Sequence, residues 1–305
     1  MRLTCIVCAC VSLLACGGQP QPAPAAANWA TTRDSLVEDY LKAHPGFAVY
    51  QGRHEYDGTL PDWTANGIAA EVKRLHASRD KAMALADTSL SGPERFERDY
   101  LVARMDRDLF WLETAEAPFL NPAFYLDVDS LDPSPYLTRN YAPLETRLRA
   151  YTKYARSVQQ AAAQIRANLR TPMSLPLLER GISAFKGFAE FYASDVPKVF
   201  AGVKDAALHK DFGDANAGAA KAMQDLAAWL ESQRSTATAA YALGAEKFAK
   251  MVYETERVAS PLAELEAAGR ADLARNQRAL HDACATYPPG ATVQARRWQI
   301  GRAHV

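Results

Sequence analysis

The clearest hydrophobic pattern in the chain lies at about 141–170. Leu144, Leu148, Tyr151, Ala155, Val158, Ala162, Ile165 and Leu169 recur at alternating spacings of four and three. That spacing puts them on one face of a helix. Arg147, Arg149, Lys153, Arg156, Gln159 and Arg166 fall between them and are expected on the solvated side. Thr171-Pro172 should end this helix, because a residue before proline avoids the helical region. Ser91-Gly92-Pro93-Glu94 is a capping-box pattern. It predicts a helix running to about Ala117, with Phe96, Tyr100, Ala103 and Phe110 at apolar positions and a stop at Pro118. An N-terminal helix is expected over 31–43, ending at His44-Pro45-Gly46. Further helices are expected near 64–87, 174–194, 196–209, 214–235, 242–257 and 261–284. Met223, Leu226, Ala227 and Leu230 form one of their stripes. No strand pair is recognisable, nor any repeat at solenoid periods. The fold class is all-α, an array of about eight or nine helices with Pro- and aromatic-rich connectors.

Two connectors interrupt the helical pattern. Tyr50 to Trp63 holds Gly52, Gly58 and Pro61, and Phe119 to Pro143 holds four prolines with Tyr125, Tyr136 and Tyr141. A connector of the second kind is usually either functional or packed over a helix surface.

The N-terminus has a different logic. Arg2 precedes a short apolar run that ends in Leu13-Leu14-Ala15-Cys16. The run is too short for a permanent span, which needs about 20 apolar residues, and suits the apolar region of a signal peptide. Leu-Leu-Ala-Cys matches the bacterial lipobox, in which the cysteine is lipidated and becomes the new N-terminus. Residues 1–15 are thus expected to be a lipoprotein signal peptide, and 16–28 the lipidated Cys16 with a Gly/Pro/Ala/Gln spacer. An ordinary secretory signal containing cysteine is the alternative. Gly17, where an Asp would favour the inner membrane, points to an outer-membrane anchor facing the periplasm.

Removing the signal and the lipidated residue leaves only Cys284, so no internal disulfide is expected and Cys284 should serve as a small buried apolar residue. Lys plus Arg and Asp plus Glu are 35 each, and loss of Arg2 leaves the mature chain at −1. With no basic run, nucleic-acid binding is not expected. The lipid is the only membrane contact expected from sequence.

The chain offers no complete active site to sequence reading. His54-Glu55 begins a zinc-peptidase pattern, but no second histidine follows at one turn and Gly58 interrupts the helix that geometry needs. Asp127, Asp129 and Asp132 lack the spacing of a calcium loop and read as a solvated loop. There is no phosphate-binding glycine loop and no nucleophile elbow.

The segment His44-Pro45 … Tyr50-Gln51-Gly52-Arg53-His54-Glu55-Tyr56-Asp57-Gly58-Thr59-Leu60-Pro61-Asp62-Trp63 resembles the N-terminal signature of the bacterial domain of unknown function 885 family. Ser91 to Tyr100, Tyr141-Ala142-Pro143-Leu144-Glu145-Thr146-Arg147 and Leu243 to Phe248 also match, so the resemblance runs over about 29–290. It implies an exported, largely helical, zinc-metallopeptidase-like lipoprotein of about twice this length. The implied metal motif lies in the C-terminal half and nothing in this sequence matches it. No catalytic residue, metal ligand or cofactor is therefore carried over to this chain, and zinc is implied only for the full-length family. Residues 29–298 are expected to form the helical N-terminal part of an incomplete metallopeptidase-like fold, with the missing C-terminal half as packing partner. Gly52, His54, Tyr56, Asp57 and Gly58 could line a cleft for a peptide substrate or could simply fix a turn.

Ile300-Gly301-Arg302-Ala303-His304-Val305 reads as the in-frame translation of a sequencing adapter, so 299–305 is expected to be an artefactual tail. Two functions remain open on sequence. One is the inactive N-terminal fragment of a lipid-anchored periplasmic zinc metallopeptidase. The other is a non-enzymatic helical lipoprotein acting as a binding or scaffold module through the aromatic connector at Phe119 to Tyr141.

Overall fold

A computed structural model describes residues 28–126 and 131–285. Cys16 and its spacer, Asp127, Asp129 and the tail at 299–305 lie outside those residues. The described chain is helical throughout, with only an isolated bridge between Ser174 and Thr238. The expectation of an all-α fold is met.

One core forms around helices α1 (Trp29–Ala43), α3 (Ala65–Met83) and α4 (Gly92–Leu109). The short α2 (Pro45–Tyr50) follows α1 directly, because Pro45 takes a first-turn position where its missing N–H costs nothing. Asn28 and Thr64 cap α1 and α3. Ser91 and Glu94 make the reciprocal capping box expected at the start of α4. The apolar face of α4 is only partly the one expected: Phe110, just past its end, is buried. Arg98, Val102, Met105 and Leu109 turn inward, whereas Phe96 and Tyr100 are exposed. α4 passes into one π-helical turn, Phe110–Thr114, and ends there. Pro118 does not terminate it, but sits in the first turn of a new short helix, α5 (Ala117–Leu120).

The larger core belongs to α7 (Leu144–Asn168), α8 (Leu175–Ser194) and α10 (Ala206–Ser232), three helices packed side by side. Leu148, Tyr151, Ala155, Val158 and Ile165 are fully buried along α7, as their spacing requires. Each large buried side chain contributes about 1.5–3 kcal/mol. Arg147 departs from expectation: it is buried, and Nη1 donates to the carbonyls of Tyr136 at 3.2 Å, Leu137 at 3.2 Å and Arg139 at 3.1 Å. Those carbonyls belong to α6 (Ser134–Thr138) and the residue after it. A polar spacing pattern cannot distinguish this Arg from its solvated neighbours.

The helices expected at 196–209 and 214–235 are divided differently. α9 stops at Phe200 (Val196–Phe200), and α10 starts at Ala206 under an Asp205 cap that accepts from the amides of Ala207 and Leu208. α10 then runs unbroken through Gly213, because Phe212, Ala215, Ala219 and Met223 keep one buried face across it.

The aromatic connector is packed into this core. Tyr125 and Tyr136 are buried, and the Tyr125 hydroxyl donates to Pro118 O at 2.7 Å. Asp132 closes the turn that leads into α6, accepting from Ser134 N at 2.9 Å. α11 (Ala245–Glu256) and α12 (Leu262–Ala285) complete the described chain; α11 buries no residue and α12 buries only Cys284. No described helix is long and apolar enough to cross a membrane.

Candidate functional site

The turn at residues 50–59 is built from two glycine-dependent reversals. α2 ends with Gly52 at φ +90°. The Arg53 amide returns to Ala48 O and the Gly52 amide to Val49 O, both at 2.9 Å, which is the Schellman arrangement that favours glycine after a helix. A single 3₁₀ turn, His54–Tyr56, follows. Asp57 at φ −49°, ψ 131° and Gly58 at φ +75° then form the centre of a type II turn closed by Thr59 N to Tyr56 O at 3.0 Å.

This turn lies flat on α6 and α7. The Gly58 amide donates to Tyr136 Oη at 2.9 Å, and Ser157 Oγ donates to Gly58 O at 2.7 Å. Lys153 Nζ donates to Asp57 O at 2.8 Å. A Cβ at Gly58 would sit 2.6 Å from Lys153 Cβ, so only glycine fits the contact. Gly52 has no such neighbour, and only its φ calls for glycine.

The side chains close the same unit. His54 Nδ1 lies 3.1 Å from Asp57 Oδ1, and its ring stacks on Tyr141 with centroids 3.6 Å apart. Tyr141 Oη donates to Asp57 Oδ2 at 3.1 Å. Burial, followed by the neighbouring Asp57 carboxylate, pushes the Tyr141 hydroxyl well above the usual phenol range, so it stays a donor at neutral pH. Tyr56 packs against the larger core, and the Arg53 guanidinium lies 5.9 Å from its ring centroid while pairing with Glu38 at 2.8 Å. All five residues singled out in sequence thus come together, but both carboxylate oxygens of Asp57 and the backbone of Gly58 are spent on partners within the fold. The geometry favours the turn reading. Sequence inspection missed Tyr136, Lys153 and Ser157 as partners. The matching stretch Tyr141 to Arg147 was the signal that this region belonged with the turn.

Two surface concavities lie away from this turn. A groove of about 710 Å³ between α9 and α10 is lined by Pro197, His209, Phe212, Ala217 and Ala220 among others. A cleft of about 220 Å³ lies beside the π turn, among α3, α4 and α11. Of its lining residues, His76 contacts Glu113 at 2.9 Å and Arg79 pairs with Asp106 at 2.6 Å, Glu254 pairs with the nearby Arg257 at 3.0 Å, and Lys250 completes the wall. Among the described residues, no group of three or more His, Cys, Asp or Glu is placed to hold a metal.

The fold has a solved counterpart in a structure described as "a putative lipoprotein of unknown function" from Shewanella oneidensis. It is 20% identical with a TM-score of 0.69, and the match covers 90% of this chain and 52% of that one. The present chain therefore spans about half the length of that neighbour. No curated protein matches it. A family model for a bacterial protein of unknown function, DUF885, matches residues 45–300, which include the Gly52–Gly58 turn, the larger core and the α3 and α4 parts of the smaller one. The chain belongs to the DUF885 family.

Proposed function

We propose that this chain is the N-terminal helical part of a lipid-anchored zinc metallopeptidase of the bacterial cell envelope. In this reading Cys16 carries the anchor in the outer membrane and the domain faces the periplasm. The observation that supports this reading is a fold match spanning about half of a longer lipoprotein, together with apolar side chains exposed on the last described helices. Phe248 and Tyr253 on α11 and Leu273 on α12 are exposed, and further chain would pack there. Zinc would activate a water for attack on a peptide carbonyl. The described residues offer it no ligand set, so no ligand and no step is assigned to this chain. Its part is to form one wall of the cleft, braced by the Gly52–Gly58 turn.

The scaffold reading relied on the aromatic connector as a binding surface. Tyr125 and Tyr136 are consumed by the core, which weakens it. The test is the native reading frame past codon 298. The expected product is a longer lipoprotein that carries zinc and hydrolyses peptides until a chelator is added. A native stop near that codon, or a zinc-free full-length protein, would sink the proposal.

A further inference from the structure

Phe96 and Tyr100 are the most conspicuous mismatch between pattern and packing. They sit one turn apart on α4, 72% and 62% exposed, with ring centroids 6.5 Å apart. Helix α4 buries Arg98, Val102, Met105 and Leu109 instead, so the aromatic pair does no work in the described core. Adjoining exposed aromatic side chains, unlike isolated ones, are a mark of contact surfaces. Side chains of this class favour the boundary between lipid headgroups and acyl chains, where a Tyr keeps its hydroxyl wet while its ring is buried.

The position of the chain entry identifies the partner. Helix α1 begins at Trp29, whose Nε1 donates to Glu97 Oε2 at 2.7 Å, and Arg33 Nη1 reaches the same carboxylate at 3.3 Å. The start of α1 is thus held against Glu97, the residue that follows Phe96 on α4. Eleven residues separate Cys16 from Asn28. Even fully extended at about 3.3–3.6 Å per residue, they hold Asn28 within roughly 40 Å of a lipid on Cys16. A tether this short keeps a nearby patch at an effective concentration of the order of millimolar, so a weak contact suffices. Arg95 beside Phe96 and Asp99 beside Tyr100 are both exposed, so the aromatic pair is flanked by one charge of each sign.

We infer that the Phe96–Tyr100 face of α4 rests on the bilayer that holds the lipid anchor, as a second, non-covalent membrane contact that sets the orientation of the domain. This rests on the anchor at Cys16. It assigns a lipid surface, rather than a protein, to this face.

The test uses the full-length lipidated protein in phosphatidylethanolamine–phosphatidylglycerol vesicles, with a fluorescent label on Phe96→Cys and, as control, on Lys186→Cys of α8. Lipid on Cys16 is verified by intact mass and by vesicle flotation. The expected result is that the Phe96→Cys label shifts to the blue on vesicles and loses most of its emission to a shallow lipid-borne quencher, while the Lys186→Cys label does neither. With lipid present on Cys16, an unquenched label with water-like emission overturns the inference and leaves the anchor intact. A blue-shifted label that is equally protected without vesicles means a protein partner, and also overturns it. A lipid-free Cys16 removes both the anchor and this contact. Both labelled residues are exposed, and a circular dichroism spectrum matching the parent confirms that each variant is folded.

Discussion

The imidazole of His54 lies against the phenol of Tyr141, with planes 8° apart, while both side chains address the same Asp57 carboxylate. The contact ties the turn after α2 to the residue that leads into α7. It therefore fastens the turn to the edge of the larger core, against which Tyr56 and Tyr141 both pack.

Removing the Tyr141 hydroxyl tests this link. Tyr141→Phe keeps the stack and loses one hydrogen bond to a charged acceptor, for an expected cost of about 1.5–3 kcal/mol. Tyr136→Phe strands the buried Gly58 amide, with a cost of about 1–3 kcal/mol. Denaturant midpoints of the two variants check both values; an unchanged midpoint for Tyr136→Phe would contradict the contact.

The two glycines of the turn should differ. Gly52→Ala meets no atom within 4 Å and pays only for its positive φ, about 1 kcal/mol. Gly58→Ala pays for φ and also drives a methyl into Lys153 Cβ, so the turn must lift from α7 and the loss should exceed that of Gly52→Ala by at least about 1 kcal/mol. Equal thermal midpoints would refute the close packing.

Arg147→Met should be among the costliest single changes in α7. It leaves the carbonyls of Tyr136, Leu137 and Arg139 without their shared donor in a buried place, at a cost of about 3 kcal/mol. The neighbouring exposed Arg149→Met should fall within about 0.5 kcal/mol of the parent. Equilibrium unfolding of the pair reads the difference.

Acid should act through Glu71 and Asp108 in opposite directions. Burial alone would raise Glu71, but the Arg74 guanidinium at 2.5 Å and the nearby His44 overcome it and bring its pKa down from 4.5 to about 2. His44 Nε2 lies 3.3 Å from Glu71 Oε1, off the hydrogen-bond direction. A depressed carboxylate stabilises the fold fully above 4.5 and loses that contribution as pH falls toward 2. Glu71→Gln should thus cost up to ~3 kcal/mol at pH 7 and little near pH 2. Asp108 is raised, chiefly by burial and against the pull of Arg104. Its charged form disfavours folding, so Asp108→Asn should raise stability at pH 7, with the gain vanishing below about its ordinary value of 3.8. Urea titrations at pH 7 and in acid separate the two signs.

Much of the architecture was legible because it depends on local or periodic chemistry. The α7 stripe and the Ser91–Glu94 cap were readable from spacing alone. The Gly52–Gly58 turn was recognisable as a unit, since glycine at positive φ leaves a mark in sequence. Its partners were not, because Lys153 and Ser157 look like any polar residues on a helix face. The face of α4 was misread for a related reason. Phe96 and Tyr100 satisfy helical spacing as well as Val102 and Leu109 do, and periodicity cannot say which stripe another helix will cover.

By itself, the sequence determined helix formation, most helix ends and the glycine requirement of the turn, since these follow from backbone sterics, capping and periodicity within a few residues. Only the tertiary structure decided which groups were desolvated. Arg147 became a buried donor, Asp57 was occupied by His54 and Tyr141, and the aromatic connector went into the core instead of facing a partner. Those outcomes depend on contacts between residues as far apart as Gly58 and Ser157, and spacing along the chain holds no information about the distance that folding closes between them.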